Sequence, residues 1–337
     1  DNIRGGNLCR ANYDLKNLIY FKTDCLIKRL KSISPFVNLG LEPQKLNNYD
    51  IQVIEEYFNK YIDIIFDCST DPEVTYILDK IDFKGTVFSL AITNNAKSFV
   101  SITGKRLTKQ AKVIFDYIEN EPPTYFEGAG CGYPTFEANY NDINALLNLG
   151  LKSINHNFSN SIDNKTFTIT PTFKGKKTIS IEEYEYHNLD TINSSIHIPI
   201  SVLKEIEKIT KYHSPKEFGG VFIGYKSGEN FIITGILIPD QYKNGKTIFV
   251  RHPGTLNERL REIHNITNGK IQYLGEWHSH PNGPTSPSSI DINAMREIAK
   301  DRSINIDKPL LMIAEVDNIS FGKDLYIYDN KKLKKYE

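Results

Sequence analysis

From its start to about residue 120 the chain switches repeatedly between two hydrophobic periods. FKTDCLIKRLKSIS (21–34) places Leu26, Ile27, Leu30 and Ile33 on one helical face, and Pro35 stops the run. YIDIIFDCS (61–69) is a short β-branched and aromatic run of the kind that forms a buried parallel strand. DPEVTYILDKI (71–81) returns to the helical period, while GTVFSLAIT (85–93) and AKSFVSIT (96–103) read as strands. This alternation predicts an α/β domain built on a mostly parallel sheet with helices. A Pro/Gly-rich break at 119–142 reads as an ordered loop, and NDINALLNLGLKSINH (141–156) as a helix capped by Asn141 or Asp142.

From about 155 to 195 Ser, Asn and Thr dominate around one strand candidate, KTFTITPTF (165–173). This stretch reads as the end of the first domain plus a linker, which predicts domains at 1–190 and 191–337. The second opens with a strand and helix in SIHIPISVLKEIEKITKYHS (195–214). Strands GGVFIGYK (219–226) and NFIITGILIP (230–239), helix GTLNERLREIHNIT (254–267) and strand KIQYLGEWHSHP (270–281) follow. Helix SSIDINAMREIAKD (288–301) and strands KPLLMIAEV (308–316) and LYIYD (325–329) complete an α+β pattern.

Composition narrows the partners. Lys+Arg and Asp+Glu both number 41, which argues against binding nucleic acid or a membrane surface by bulk charge. No apolar run approaches the ~20 residues of a membrane span. Four cysteines, Cys9, Cys25, Cys68 and Cys131, form no CxxC pair, so a reducing compartment, the cytoplasm, is expected.

The chemistry concentrates in GEWHSHPNGPTSPSSID (275–291). His278 and His280, two residues apart on a strand, present both rings on one side. Imidazole suits Zn²⁺, and Asp291 offers a third ligand if the Gly/Pro-rich turn folds the chain back. Ser288 is a natural N-cap, which puts Asp291 in the first helical turn, where the helix dipole favours a carboxylate. Three ligands leave a fourth position for water, and Glu217, ahead of a strand able to pair beside the histidines, is the available general base. Trp277 faces away and reads as packing, and His252 and His264 take no metal role.

Glu217, then His278-Ser279-His280-Pro281, Ser288 and Asp291 together resemble the JAMM motif of the JAB/MPN metalloproteases, over roughly 195–330. The resemblance implies a cytidine-deaminase-like JAB/MPN fold with His278, His280 and Asp291 as zinc ligands. It also implies Glu217 as the base that activates water, and Ser288 as donor to the developing oxyanion. The implied substrate is a peptide or isopeptide bond after the C-terminal glycine of a ubiquitin-like protein.

A second resemblance covers GGNLCRANYDLKNLIYFKTDCLIKRLKSISPFV (5–37). Asn7, Leu8 and Arg10, then Lys22 and SISPFV, are similar to the N-L-x-R-Q, lysine and inP segments of ThiF/MoeB-like adenylating enzymes, with Ala11 in place of the glutamine. It implies a partial ThiF/Rossmann-like domain in which Asn7, Arg10, Lys22 and Asp71 contact ATP and Mg²⁺. One extra residue separates Asp71 from Asp67, relative to the family's spacing. The family's glycine loop precedes the first of these segments, so the chain as given is expected to bind ATP poorly and to be the C-terminal part of a longer polypeptide. Cys131, in EGAGCGYPTF, stands where such enzymes can carry a thioester cysteine; the alternative is a small buried hydrophobe.

The leading expectation is a zinc-dependent isopeptidase joined to a modifier-activating domain in a bacterial conjugation system, with a link to antiviral defence by family association. A ubiquitin-like protein, a conjugating enzyme and a homodimer through the adenylation-like half are the expected partners. Two alternatives stay open: a sulfur-carrier peptidase of cofactor biosynthesis, and a non-catalytic interaction module.

Overall fold

The computed structural model describes the chain except residues 1, 4–12, 42–44, 70, 119–124, 127–134, 137–139, 160–165, 173–177, 253 and 317–319. It divides into two compact units, Asp1–Ile181 and Glu182–Glu337. The division falls earlier than residue 190, within the strand Thr178–Leu189.

In the first unit the helices are α1 (Lys22–Ile33), α2 (Ile51–Tyr61), α3 (Pro72–Lys80), α4 (Leu107–Ile118) and α5 (Tyr140–Ser159). The strands are β1 (Ile64–Asp67), β2 (Thr86–Thr93), β3 (Ser98–Thr103), the two-residue pair β4 (Tyr125–Phe126) and β5 (Thr135–Phe136), and β6 (Thr166–Thr172). The sheet is mixed, which corrects the mostly parallel expectation. β1 pairs β2 in parallel, but β2–β3 and β3–β6 are antiparallel. The cause is local: only Asn94–Lys97 separates β2 from β3, with Asn94, Asn95 and Ala96 at φ of 53–59°, so the connection is a hairpin and cannot be a crossover. Phe99, Phe167, Ile169, Leu146 and Ile154 fill the core between this sheet and α5.

Two helices depart from the sequence reading. α5 begins at Tyr140, so Asn141 and Asp142 lie in its first turn rather than capping it. α1 ends before Pro35 as expected, yet it buries Cys25, which accepts a hydrogen bond from Asn17, while Leu26, Leu30 and Ile33 are exposed among the described residues.

In the second unit the remaining helices are α6 (Ile200–His213), α7 (Leu256–Ile266) and α8 (Ser289–Lys300). The strands are β7 (Thr178–Leu189), β8 (Ser194–Pro199), β9 (Gly219–Ser227), β10 (Asn230–Leu237), β11 (Tyr242–Asn244), β12 (Phe249–Arg251), β13 (Gln272–Pro281), β14 (Leu310–Val316), β15 (Phe321–Asp329) and β16 (Lys332–Lys335). The sheet runs β7-β8-β10-β9-β13-β14-β15-β16, and β11–β12 form a separate hairpin. LLMIAEV of β14 is apolar at almost every position because both faces are covered. Leu310, Met312 and Ala314 join the core under Val202, Leu203 and Ile206 of α6, whereas Leu311 and Ile313 pack with Met295 of α8. The outer strand β16 carries Lys332, Lys334 and Lys335, charges that discourage pairing with another edge.

A β-bulge shapes β13. Tyr273 faces Ile223 of β9 and Gly275 faces Phe222, so Leu274 is the extra residue. The bulge lets Leu274 and Trp277, three residues apart, enter the same core, which plain alternation forbids. Glu276, His278 and His280 are then left on the opposite face.

Candidate metal centre

The centre is assembled from β13, the segment before β9 and the start of α8. His278 pairs with Gly219 of β9 and with Ile313 of β14, so its strand is held on both sides. Gly219 permits the close approach: a Cβ there would lie 2.3 Å from the Trp277 carbonyl oxygen and 2.8 Å from His278 Cβ. Ser279, buried between the two histidines, accepts the Phe218 N–H at 3.1 Å, and its own N–H donates to the Phe218 carbonyl at 2.8 Å. This reciprocal pair ties residue 218, and hence Glu217, to the middle of HSH.

His278 Nε2 and His280 Nε2 lie 3.1 Å apart. Asp291 brings Oδ1 to 3.2 Å from His278 Nε2 and Oδ2 to 3.9 Å from His280 Nε2. His280 Nδ1 lies 2.9 Å from the Pro284 carbonyl, to which it donates, leaving Nε2 with its lone pair turned toward the other two groups. Two imidazole nitrogens and a carboxylate converge with all donor atoms within 4.8 Å, a set whose lone pairs face one another and that a divalent metal would satisfy. These residues fit zinc.

α8 delivers the carboxylate through a capping box. Ser288 Oγ accepts the Asp291 N–H at 3.3 Å, and Asp291 Oδ2 accepts the Ser288 N–H at 2.7 Å. Burial pushes the Asp291 carboxyl up, but hydrogen bonds and charge from His278, with those from Ser288, outweigh it and hold the pKa at about 2. Glu217 moves the other way. Burial raises its pKa above the ordinary value, and the Asp291 charge adds to this, against the pull of His280 and His278. One carboxylate is kept ionised, and its neighbour is made more basic.

Glu217, His278, His280, Ser288 and Asp291 line one cleft of about 550 Å³. A wall of that cleft, residues 246–250, belongs to the β11–β12 hairpin, which the sequence reading missed. The signal was available in Asn244-Gly245, a turn dipeptide where the first short strand ends. The other predicted site residues lie elsewhere. Lys22 is the first residue of α1, and Asp71 caps α3, accepting the Glu73 N–H at 3.0 Å. Asn7, Arg10 and Cys131 fall outside the described residues.

Fold and site thus define a mixed α/β domain that carries three convergent metal-ligating side chains with an adjacent glutamate. A family profile described as prokaryotic homologs of the JAB domain matches residues 199–323. A CD-NTase/cGAS isopeptidase of Escherichia coli (strain TW11681) is 32% identical over 152 residues, covering 44% of this chain and 92% of that relative. The chain belongs to this JAB family. A CD-NTase/cGAS isopeptidase of Vibrio cholerae serotype O1 is 29% identical over 103 residues, 30% of this chain and 63% of the relative. The probable metalloprotease y4qB of Sinorhizobium fredii is 27% identical over 121 residues, 35% of this chain and 74% of the relative.

Proposed function

We propose that the second unit is a zinc-dependent isopeptidase or peptidase that cleaves after the C-terminal glycine of a ubiquitin-like protein. The observation that carries this reading is the convergence of His278, His280 and Asp291 in one cleft with Glu217. The isopeptidase and metalloprotease names of its relatives support the reaction class. When bound by those three residues, zinc supplies Lewis acidity and lowers the pKa of a water molecule. Glu217, more basic than an ordinary glutamate, would take a proton from the attacking water and pass it to the leaving amine. Ser288 Oγ accepts the Asp291 N–H and keeps its own proton to donate to the oxyanion. An extended, glycine-ended tail suits the strand edge at 249–251 as an added β-strand. The first unit enters only through its resemblance to adenylating enzymes, by which Asn7, Arg10, Lys22 and Asp71 would contact ATP and Mg²⁺ and Cys131 would carry a thioester in a complete domain of that kind.

The test uses a hexapeptide ending in Gly-Gly, amide-linked to a fluorescent amine. Glu217→Ala should lower kcat on the order of 10²–10⁴-fold with zinc content retained. Cleavage that survives both this substitution and chelation would overturn the reading.

A further inference from the structure

Glu276 shares its face of β13 with His278 and His280, yet it takes no part in the donor set. Its Oε1 accepts Arg251 Nε at 3.1 Å and Arg251 Nη2 at 2.5 Å, and also the Tyr273 hydroxyl at 3.3 Å. The β13 bulge makes this possible. Residues three apart on a regular strand point to opposite faces, and the extra residue Leu274 brings Tyr273 round to the side of Glu276. The cluster is substantially buried, and Tyr273 is held neutral, first by burial and then by the Glu276 charge.

Arg251 is the last residue of β12, and the hairpin it belongs to touches the candidate site a second time. At the hairpin's turn, Gly245 accepts the Glu217 N–H at 2.7 Å and donates to the Ile248 carbonyl at 2.8 Å. Between the two anchors Phe249 packs against Phe218, with ring centroids 5.4 Å apart, and Phe218 lies 6.3 Å from Trp277. A two-stranded hairpin with three residues per strand has little stability of its own, so these anchors decide where it sits.

We propose that Arg251, Glu276 and Tyr273 are positioning residues for the reaction described above. Their three-way contact locks β12 to the ligand strand. Through Gly245 it sets the backbone of Glu217, and through residues 246–250 it sets the cleft wall. The inference rests on the isopeptidase reading of the cleft. It goes beyond that reading by assigning the alignment of Glu217 to an ion pair that lies outside the donor set.

The experiment compares the full chain with Arg251→Met, Arg251→Lys and the near-isosteric Tyr273→Phe. Four quantities are measured: kcat and KM on the glycine-ended peptide amide, bound zinc, thermal midpoint, and acrylamide quenching of Trp277, the single tryptophan of the chain. Arg251→Met should lower kcat by on the order of 10–100-fold, the scale of a base displaced by ~1 Å, with zinc content unchanged and KM altered much less. Quenching of Trp277 should rise. Arg251→Lys should recover part of kcat, and Tyr273→Phe should lie closest to wild type. A kcat for folded, zinc-loaded Arg251→Met within about twofold of wild type overturns the inference, as does loss of activity in proportion to lost zinc. Unchanged Trp277 quenching overturns it even if the wild type does not cleave the peptide, an outcome that separately defeats the isopeptidase reading.

Discussion

At the scale of single residues, Ser288 is asked to do two jobs that substitution can separate. Its oxygen caps α8 by accepting the Asp291 N–H, and the proposed reaction gives its proton to the oxyanion. Ser288→Ala should cost about 1 kcal/mol of stability in denaturant titration, the usual value of a lost N-cap. Ser288→Gly should cost only a few tenths of a kcal/mol, since glycine is tolerated at an N-cap. If the hydroxyl donates in catalysis, peptide cleavage will stay low in both variants; recovery with glycine would leave Ser288 only its capping role. Gly219 is a second sensitive position. An alanine there would press on the Trp277 carbonyl and on His278, so Gly219→Ala should destabilise by about 1–3 kcal/mol and reduce bound zinc, measured by denaturation and metal analysis.

At the scale of elements, β7 is attached to β15 by charge. Lys323 Nζ lies 2.9 Å from Glu185 Oε2, and His187 Nε2 lies 3.3 Å from the same oxygen. Burial pushes the Glu185 carboxyl up, but close contacts with His187 and Lys323 and their charges bring its pKa down to about 2, from an ordinary value near 4.5. A carboxylate depressed by folding stabilises the protein above its unfolded value, and that contribution is lost as pH falls through the folded one. Glu185→Gln should therefore lower the thermal midpoint at pH 7, and the gap to wild type should close as pH falls from about 4.5 toward about 2. A gap independent of pH would contradict this assignment.

The element scale also shows how far the pattern of residues carried. Ser288 as N-cap, the strand LLMIAEV and the helix that places Asp291 in its first turn were all legible, because capping chemistry and hydrophobic period act over a few residues. The β2–β3 hairpin, the strand β7 and the β11–β12 hairpin were not. Ser, Thr and Glu interspersed with Ile and Tyr in TISIEEYEYHNL resemble a linker until the neighbouring strand β8 is there to pair its second half, Tyr184 to Leu189. In FKTDCLIKRLKSIS the apolar stripe was visible, but which face turns inward depends on what the helix meets.

At the scale of the whole molecule, no helix among the described residues is long and apolar enough to cross a membrane. The compact unit Glu182–Glu337 contains every residue of the candidate metal centre. Expressed alone, residues 182–337 should fold and bind zinc. Zinc at 100 times its Kd should stabilise this fragment by about 2.7 kcal/mol through mass action, and His278→Ala should abolish the increment. A calorimetric midpoint that ignores zinc in the wild-type fragment would rule the centre out as a metal site.

The identity and spacing of Glu217, His278, His280, Ser288 and Asp291 were present in the chain before any fold was known, because each role depends on donor type and on turn and cap chemistry nearby. Tertiary structure alone decided that Asp291 comes within 3.2 Å of His278 and that Glu217 shares their cleft. It alone decided that one bulged residue turns Tyr273 and Glu276 toward Arg251. Those contacts span from three to 74 positions of sequence, and only the pairing of β9 with β13 and the packing of α8 and the β11–β12 hairpin against them bring the groups within reach.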